Sequence, residues 1–332
     1  MRVFPNGFGL IIGLISTFAI SWIWPIGNGD MERQVSEFLS KISVFLIFLF
    51  QGLNLKLEQL KLIGSSISSL VRVHIFIFLV PLCVVLIFVF LDLMPREWLR
   101  GFVYLAILPT TISSCVVYTS FAGGNSDAAL GHATLSNLLA IIWVPFAWLF
   151  LDGQSDGVLR TQWVSLASQV LPTIIYLIIL PTLIGWMLRK KSKQKEFAKF
   201  NKFSKTLSFG CILILVFLSL SECILLFGHE ELKTWTIELL PVVTGFFICH
   251  SIFCWIGSGM QSVDRKLRIA EFYCTGQKSL AMGIPLLVAI YSNESMGNVG
   301  LLCIPLIIYH FLQLFLGVLV FRLLKSWALE GR

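Results

Sequence analysis

Apolar residues run through this chain in long blocks separated by short polar stretches. A helix rises 1.5 Å per residue, so roughly 20 apolar residues carry it across the hydrocarbon core of a bilayer. Ten blocks approach that length, at about 8–26, 38–54, 67–91, 99–122, 126–151, 165–188, 205–227, 236–258, 266–292 and 298–324. The pattern predicts an all-α integral membrane protein of ten transmembrane helices, with one membrane domain over residues 1–332. The first block has only Arg2 as a basic flank and no convincing small-residue cleavage motif after it, so it reads as the first span.

Composition strengthens this reading. The chain is 57% hydrophobic and 13% charged, whereas a soluble domain is about 45–50% apolar and about 25% charged. So little polar surface cannot cover a water-soluble globule. The 28 Phe and 10 Trp suit a lipid-facing surface with aromatic anchors at its edges.

The net charge of +7 would suggest a nucleic-acid partner in a soluble protein. Here the positive charge lies between apolar blocks, where topology explains it, and no nucleic acid is expected. After the sixth block come Arg189, Lys190, Lys191, Lys193, Lys195, Lys199, Lys202 and Lys205 against Glu196. That connection should stay in the cytoplasm. Counting outward, the cytoplasmic side also takes Lys56 and Lys61, then Arg265, Lys266 and Arg268, then Arg322, Lys325 and Arg332. The opposite side takes Asp30, Glu32 and Glu37, then Asp152 and Asp156, then Glu230, Glu231 and Glu294. Both termini come out cytoplasmic, as in a multi-pass protein of the plasma (inner) membrane with lipid around it.

Ten spans divide into two sets of five, about 1–152 and 163–325, and an odd number per set inverts the second repeat. In each set the fourth span is interrupted by Pro, Gly and polar residues, from Leu99 to Asn125 and from Leu267 to Pro285. A broken helix leaves backbone N–H and C=O groups without partners in lipid, at several kcal/mol each. The cheapest partner for one break is the other, so the two interruptions should meet at mid-membrane. Their half-helix ends present partial charges, positive at the N-termini.

The polar residues inside the spans are the candidate chemistry. Thr110, Thr111, Ser113, Ser114, Thr119 and Ser120 crowd around Pro109. They either line a solute or ion site or bond back to their own helix. Gly123-Gly124-Asn125 reads as a tight turn into the fifth span. His132, Thr134, Ser136 and Asn137 can share a helix face that looks into the bundle. Gln277-Lys278-Ser279 is the most expensive feature, because a lysine at the centre of a span costs about 2.5–3.5 kcal/mol. Snorkelling is the plainer reading of Lys278, but both predicted ends are distant. Glu222, His310 and Gln313 are further polar groups within spans. Glu271 lies nearer the cytoplasmic edge, where Arg265, Lys266 and Arg268 are available to pair with it.

Eight cysteines all fall in apolar stretches without CxxC spacing, so neither disulfides nor a metal site is expected. The chain carries no HExxH and no Walker-type phosphate loop, and an enzyme or an ATP-driven pump finds no support.

Four segments, FQGLNLKLEQL (Phe50 to Leu60), LPTTISSCVVYTSFAGGN (Leu108 to Asn125), KSLAMGIPLL (Lys278 to Leu287) and YHFLQL (Tyr309 to Leu314), resemble the bile acid:sodium symporter superfamily, in its SBF-like branch. The resemblance implies a core and a panel domain, fourth and ninth helices crossing at their breaks, and a carrier of organic anions often coupled to sodium. It places substrate near that crossing, and the polar residues within the spans make Thr110, Ser113, Ser114, Thr119, Ser136, Asn137, Gln277, Lys278, Ser279, His310 and Gln313 the candidate substrate or ion contacts. Sodium-coupled members carry two hydroxyls in the fifth helix and a carboxylate before the ninth-helix Gln. Here those positions are Ala129, Ala133 and Tyr273. The expectation is therefore a secondary transporter of a small, anionic organic solute with no resident cofactor and with sodium coupling in doubt. The competing reading is a membrane regulator, related to calcium homeostasis, that keeps the fold without transporting.

Overall fold

A computed structural model describes residues 7–55, 67–152, 172–191, 194–260, 264–291 and 296–329. Among them the chain is helical and has no strand. The helices are α1 (Gly7–Ile23), α2 (Asp30–Asn54), α3 (Ile67–Phe78), α4 (Val80–Phe90), α5 (Leu99–Ile107), α6 (Ser113–Phe121) and α7 (Ser126–Asp152). A π-helical stretch, Ile175–Ile179, leads into α8 (Leu180–Lys191). Then follow α9 (Gln194–Phe227), α10 (His229–Gly259), α11 (Arg265–Gly276), α12 (Leu280–Ile290) and α13 (Met296–Leu329).

Among the described residues, seven helices are long and apolar enough to cross a membrane: Asp30–Asn54, Ile67–Phe90, Ser126–Leu151, Pro172–Lys190, Thr206–Phe227, His229–Gly259 and Val299–Gly317. The first predicted block is a shorter apolar helix. The fourth and ninth are divided, as α5 with α6 and as α11 with α12. The charged positions Lys56, Lys61, Asp156, Lys193, Glu294 and Arg332, and the predicted start of the second repeat at 163, lie outside the described residues.

Local sequence explains the helix ends near the breaks. Pro81 lacks the N–H that would continue the α3 ladder, and the helix steps from α3 to α4 just before it. Asn125 starts α7, its Oδ1 accepting from the backbone N–H of Asp127 (3.1 Å) and Ala128 (3.0 Å). Gly123, at φ +76°, makes the turn before it. Asp264 caps α11 by accepting from the Lys266 N–H at 2.9 Å.

The chain forms two compact units. The first comprises Met1–Leu55, Pro145–Thr236 and Gly283–Cys303. Within it, α1 lies along α9 and α2 packs on α8. Gly52 and Gly185 allow that second contact: a Cβ on Gly52 would run into the Thr182 carbonyl, and one on Gly185 into that of Leu49. Lipid tails are as apolar as Leu, so helices in a membrane associate by such close approach.

The second unit comprises Lys56–Val144, Ile237–Met282 and Ile304–Arg332, and it contains both divided helices. The Phe246 ring meets Phe88 and Phe102 edge-on, at 5.8 and 5.4 Å between ring centres. Tyr118 reaches from α6 to α13 and donates to the Leu314 carbonyl at 2.8 Å. Phe102 and Tyr118 thus anchor the two halves of the first divided helix, α5 and α6.

Candidate functional site

The two breaks touch. Between α5 and α6 the chain is non-helical over Leu108–Thr111, and between α11 and α12 over Gln277–Ser279, with Leu108 and Gln277 in extended backbone. The Ser279 N–H donates to the Pro109 carbonyl at 2.9 Å. Gln277 Oε1 accepts from Thr111 Oγ1 at 2.7 Å and from Ser114 Oγ at 2.8 Å, and the two hydroxyl oxygens lie 2.5 Å apart. The juxtaposition expected from the cost of unpaired backbone groups is present.

Several of the other backbone groups freed by the breaks have named partners, as a low-dielectric interior favours. Asn137 Nδ2 donates to the Thr110 carbonyl at 2.8 Å, and to Ala133 in its own helix at 2.8 Å. Gln313 serves Lys278 twice: its Oε1 accepts the Lys278 N–H at 2.8 Å and its Nε2 donates to the Lys278 carbonyl at 2.9 Å. An amide nitrogen only donates, so the remaining Gln313 proton goes to His310 Nδ1 at 2.6 Å. Tyr309 Oη donates to the Gly276 carbonyl at 2.7 Å. Its proton is then committed, so His250 Nδ1, 2.9 Å away, donates to that oxygen. Ser279 Oγ accepts the Met282 N–H at 3.3 Å and caps α12.

Lys278 is wholly buried, and its ammonium donates to three backbone carbonyls: Ile77 at 2.6 Å, Ala106 at 2.7 Å and Leu108 at 2.9 Å. The Ile77 oxygen is free because its helical partner would be the N–H of Pro81, which does not exist. The Ala106 and Leu108 oxygens are free because α5 stops at Ile107. The snorkelling reading of Lys278 does not hold: its head stays inside among carbonyl dipoles.

The remaining expected site residues separate by local register. Ser113 is exposed at the first turn of α6 and Ser114 is half-buried beside it. Thr110 Oγ1 and Thr119 Oγ1 are buried without a partner. Thr134 and Ser136 bond back to their own helix, to Leu130 at 2.7 Å and Ala133 at 3.0 Å. Glu271 does not pair with Arg265, Lys266 or Arg268. Its partners are Arg72 and Ser69 of α3, with Arg72 Nη2 2.7 Å from both carboxylate oxygens and Ser69 Oγ at 2.8 Å. Sequence reasoning missed Arg72, His250 and the carbonyl of Ile77. A lone arginine in an apolar run was the available signal for the first, and Pro81 four residues after Ile77 for the last.

The family model for SBF-like CPA transporters matches residues 9–326. The chain belongs to the SBF-like CPA transporter family. It is thus a multi-pass membrane protein of a transport family. Among relatives of this SBF-like chain, Sodium/bile acid cotransporter 7-B of Xenopus laevis is 28% identical, over 97% of this chain and 93% of the relative. Sodium/bile acid cotransporter 7 of Mus musculus is 26% identical, over 96% and 93%. That of Danio rerio is 26% identical, over 97% and 94%. Both breaks and the segments around them fall within the matched region.

Proposed function

We propose that this SBF-like chain is a secondary active transporter of a small organic anion and has no obligatory need for sodium. In this reading ten spans form two inverted five-helix repeats in the plasma (inner) membrane, with both termini in the cytoplasm. The observation that carries it is the pair of joined breaks, with Ser113 exposed and Ser114 half-buried beside the bridge between Gln277 and Thr111. Broken helices meeting in this way are the usual setting of a transported solute.

The preference for an anion rests on electrostatics. α6 begins at Ser113 without a side-chain cap from Ile112, so its N-terminal dipole end lies at the break. The Lys278 ammonium, held by carbonyl dipoles, adds positive charge within the same pair of breaks. Both favour a carboxylate or similar group near Ser113 and Ser114.

Obligatory sodium would need oxygens that this chain lacks at three positions. Ala129 and Ala133 are fully buried and offer no hydroxyl. Tyr273 turns its ring to Tyr118 and its hydroxyl to the Gly317 carbonyl, at 3.5 Å. A bare sodium ion needs several oxygens in place of its water shell, and these three positions supply none to it.

Flux into proteoliposomes tests the reading directly. Purified protein should take up at least one member of a panel of small mono- and dianionic organic solutes, with equal rates in sodium and in N-methyl-D-glucamine buffer. No uptake of any anion, or uptake only down a sodium gradient, overturns it.

A further inference from the structure

The environment of Lys278 is built like a cation site. Three oxygens stand 2.6–2.9 Å from one positive centre, in a place with no exposed surface on the lysine. They come from chain segments distant in sequence, the end of α3 and the end of α5. Each has lost its helical partner, one to Pro81 and two to the break. Backbone carbonyls freed from a ladder and turned on one point are also how proteins hold a bare monovalent ion. Among the described residues the ammonium meets no carboxylate, so the cage balances the charge with dipoles alone, as such sites do.

We propose that this cage is a monovalent-cation site whose occupant is the protein's own lysine. Removal of the lysine head opens it to a free small cation of the alkali or alkylammonium class. The cage stands whether or not the chain carries a solute. Its consequence, that Lys278 stands in for a coupling ion, rests on the transport reading above.

Deleting atoms and returning them in solution is the test. Lys278→Ala removes three methylenes and the ammonium, which together correspond to n-propylammonium. Wild-type protein purified in detergent should melt at the same temperature in N-methyl-D-glucamine, sodium, potassium or n-propylammonium buffer of equal ionic strength. Lys278→Ala should melt lower in N-methyl-D-glucamine and recover with n-propylammonium, through a saturable rise of roughly 2 °C or more. Sodium or potassium should give a smaller rise of the same form, and 1-propanol, a neutral molecule of similar shape, should give none. In vesicles the flux of Lys278→Ala should depend on the added cation, while wild-type flux does not.

Lys278→Met keeps the volume and removes the charge. If it melts and transports like wild type, the cage needs no cation and the proposal is overturned. Equal recovery of Lys278→Ala by 1-propanol and n-propylammonium, or recovery by neither, also overturns it. Where Lys278→Ala gives no folded protein in ordinary buffer, a monodisperse species should appear when membranes are solubilised in n-propylammonium. Its failure to appear counts against the site. A wild-type chain that moves no solute defeats the transport reading while the melting experiment still decides the cage.

Discussion

Glu271 meets Arg72, 199 residues earlier in the chain, with both carboxylate oxygens 2.7 Å from one guanidinium nitrogen. Side-chain exposures of 5% and 12% make this a buried pair that ties α11 to α3. Breaking such a pair by removing one member leaves an uncompensated charge and costs about 3–5 kcal/mol, whereas replacing both with apolar groups is often neutral. Arg72→Met and Glu271→Leu should therefore each lower the melting temperature sharply, and the double variant should regain most of the loss. Additive losses in the double variant would show that the two side chains act separately.

Gln313 lays its amide against both backbone groups of Lys278, at 2.8 and 2.9 Å. Gln313→Ala leaves a buried N–H and a buried C=O without partners, at about 1–3 kcal/mol each. Gln313→Glu retains an acceptor and loses the donor, so it should be destabilised as well. Thermal unfolding of the two purified variants should place both below wild type. A Gln313→Ala variant as stable as wild type would mean that water or backbone movement replaces the clasp.

The parts of this arrangement that were legible in the sequence are those that announce themselves locally. Pro109 and the hydroxyls after it, and Gly276 before Gln277, marked the breaks because they disrupt or compete with a helical ladder. Gly123 and Asn125 marked a turn for the same reason. Lys278 was visible as an oddity, but its partners are backbone oxygens, and backbone carries no signature beyond the proline that frees one of them. The Arg72–Glu271 pair was invisible because nothing local links α3 to α11. Whether a hydroxyl on a helix faces a break or its own carbonyl depends on register, and so Ser136 and Asn137, one residue apart, looked equivalent.

Their structural difference yields a contrast between neighbours. Ser136 Oγ donates to Ala133 of its own helix, a bond that gives no net support to the break. Asn137 is the partner of the Thr110 carbonyl between α5 and α6. Ser136→Ala should stay within about 0.5 kcal/mol of wild type, and Asn137→Ala should lose about 1–3 kcal/mol. Flux should follow the same order. An Asn137→Ala variant that matches Ser136→Ala in both measurements would remove the α7 contribution to the site.

Orientation can be checked independently of transport. Arg189 and Lys190 close α8, with the Lys190 ammonium 5.3 Å from the centre of the Trp186 ring, and further basic residues follow in the sequence. Basic segments near span ends stay in the cytoplasm. In intact cells a membrane-impermeant maleimide should label Ser155→Cys and leave Lys190→Cys untouched until the membrane is opened. The reverse pattern would invert every loop assignment.

The hydroxyl bridge bears most directly on the charge of the solute. Thr111 and Ser114 both donate to Gln277 Oε1, so either alone can keep that oxygen satisfied. Thr111→Val and Ser114→Ala should each reduce flux modestly, and together more than the sum of the two in free energy, because only the pair leaves the oxygen bare. Gln277→Glu is nearly isosteric and can still accept from both hydroxyls, but it adds a negative charge at the opening of α6. If the solute is an anion, that charge opposes it in a poorly screened site. A penalty of only about 1.4 kcal/mol already lowers affinity roughly tenfold. Gln277→Glu should therefore raise the half-saturating concentration of an anionic solute at least ~10-fold, with some loss of melting temperature because the new carboxylate is buried. A cationic or neutral solute should be spared. Unchanged affinity for the anion in this variant would move the solute away from the break, whatever else the chain transports.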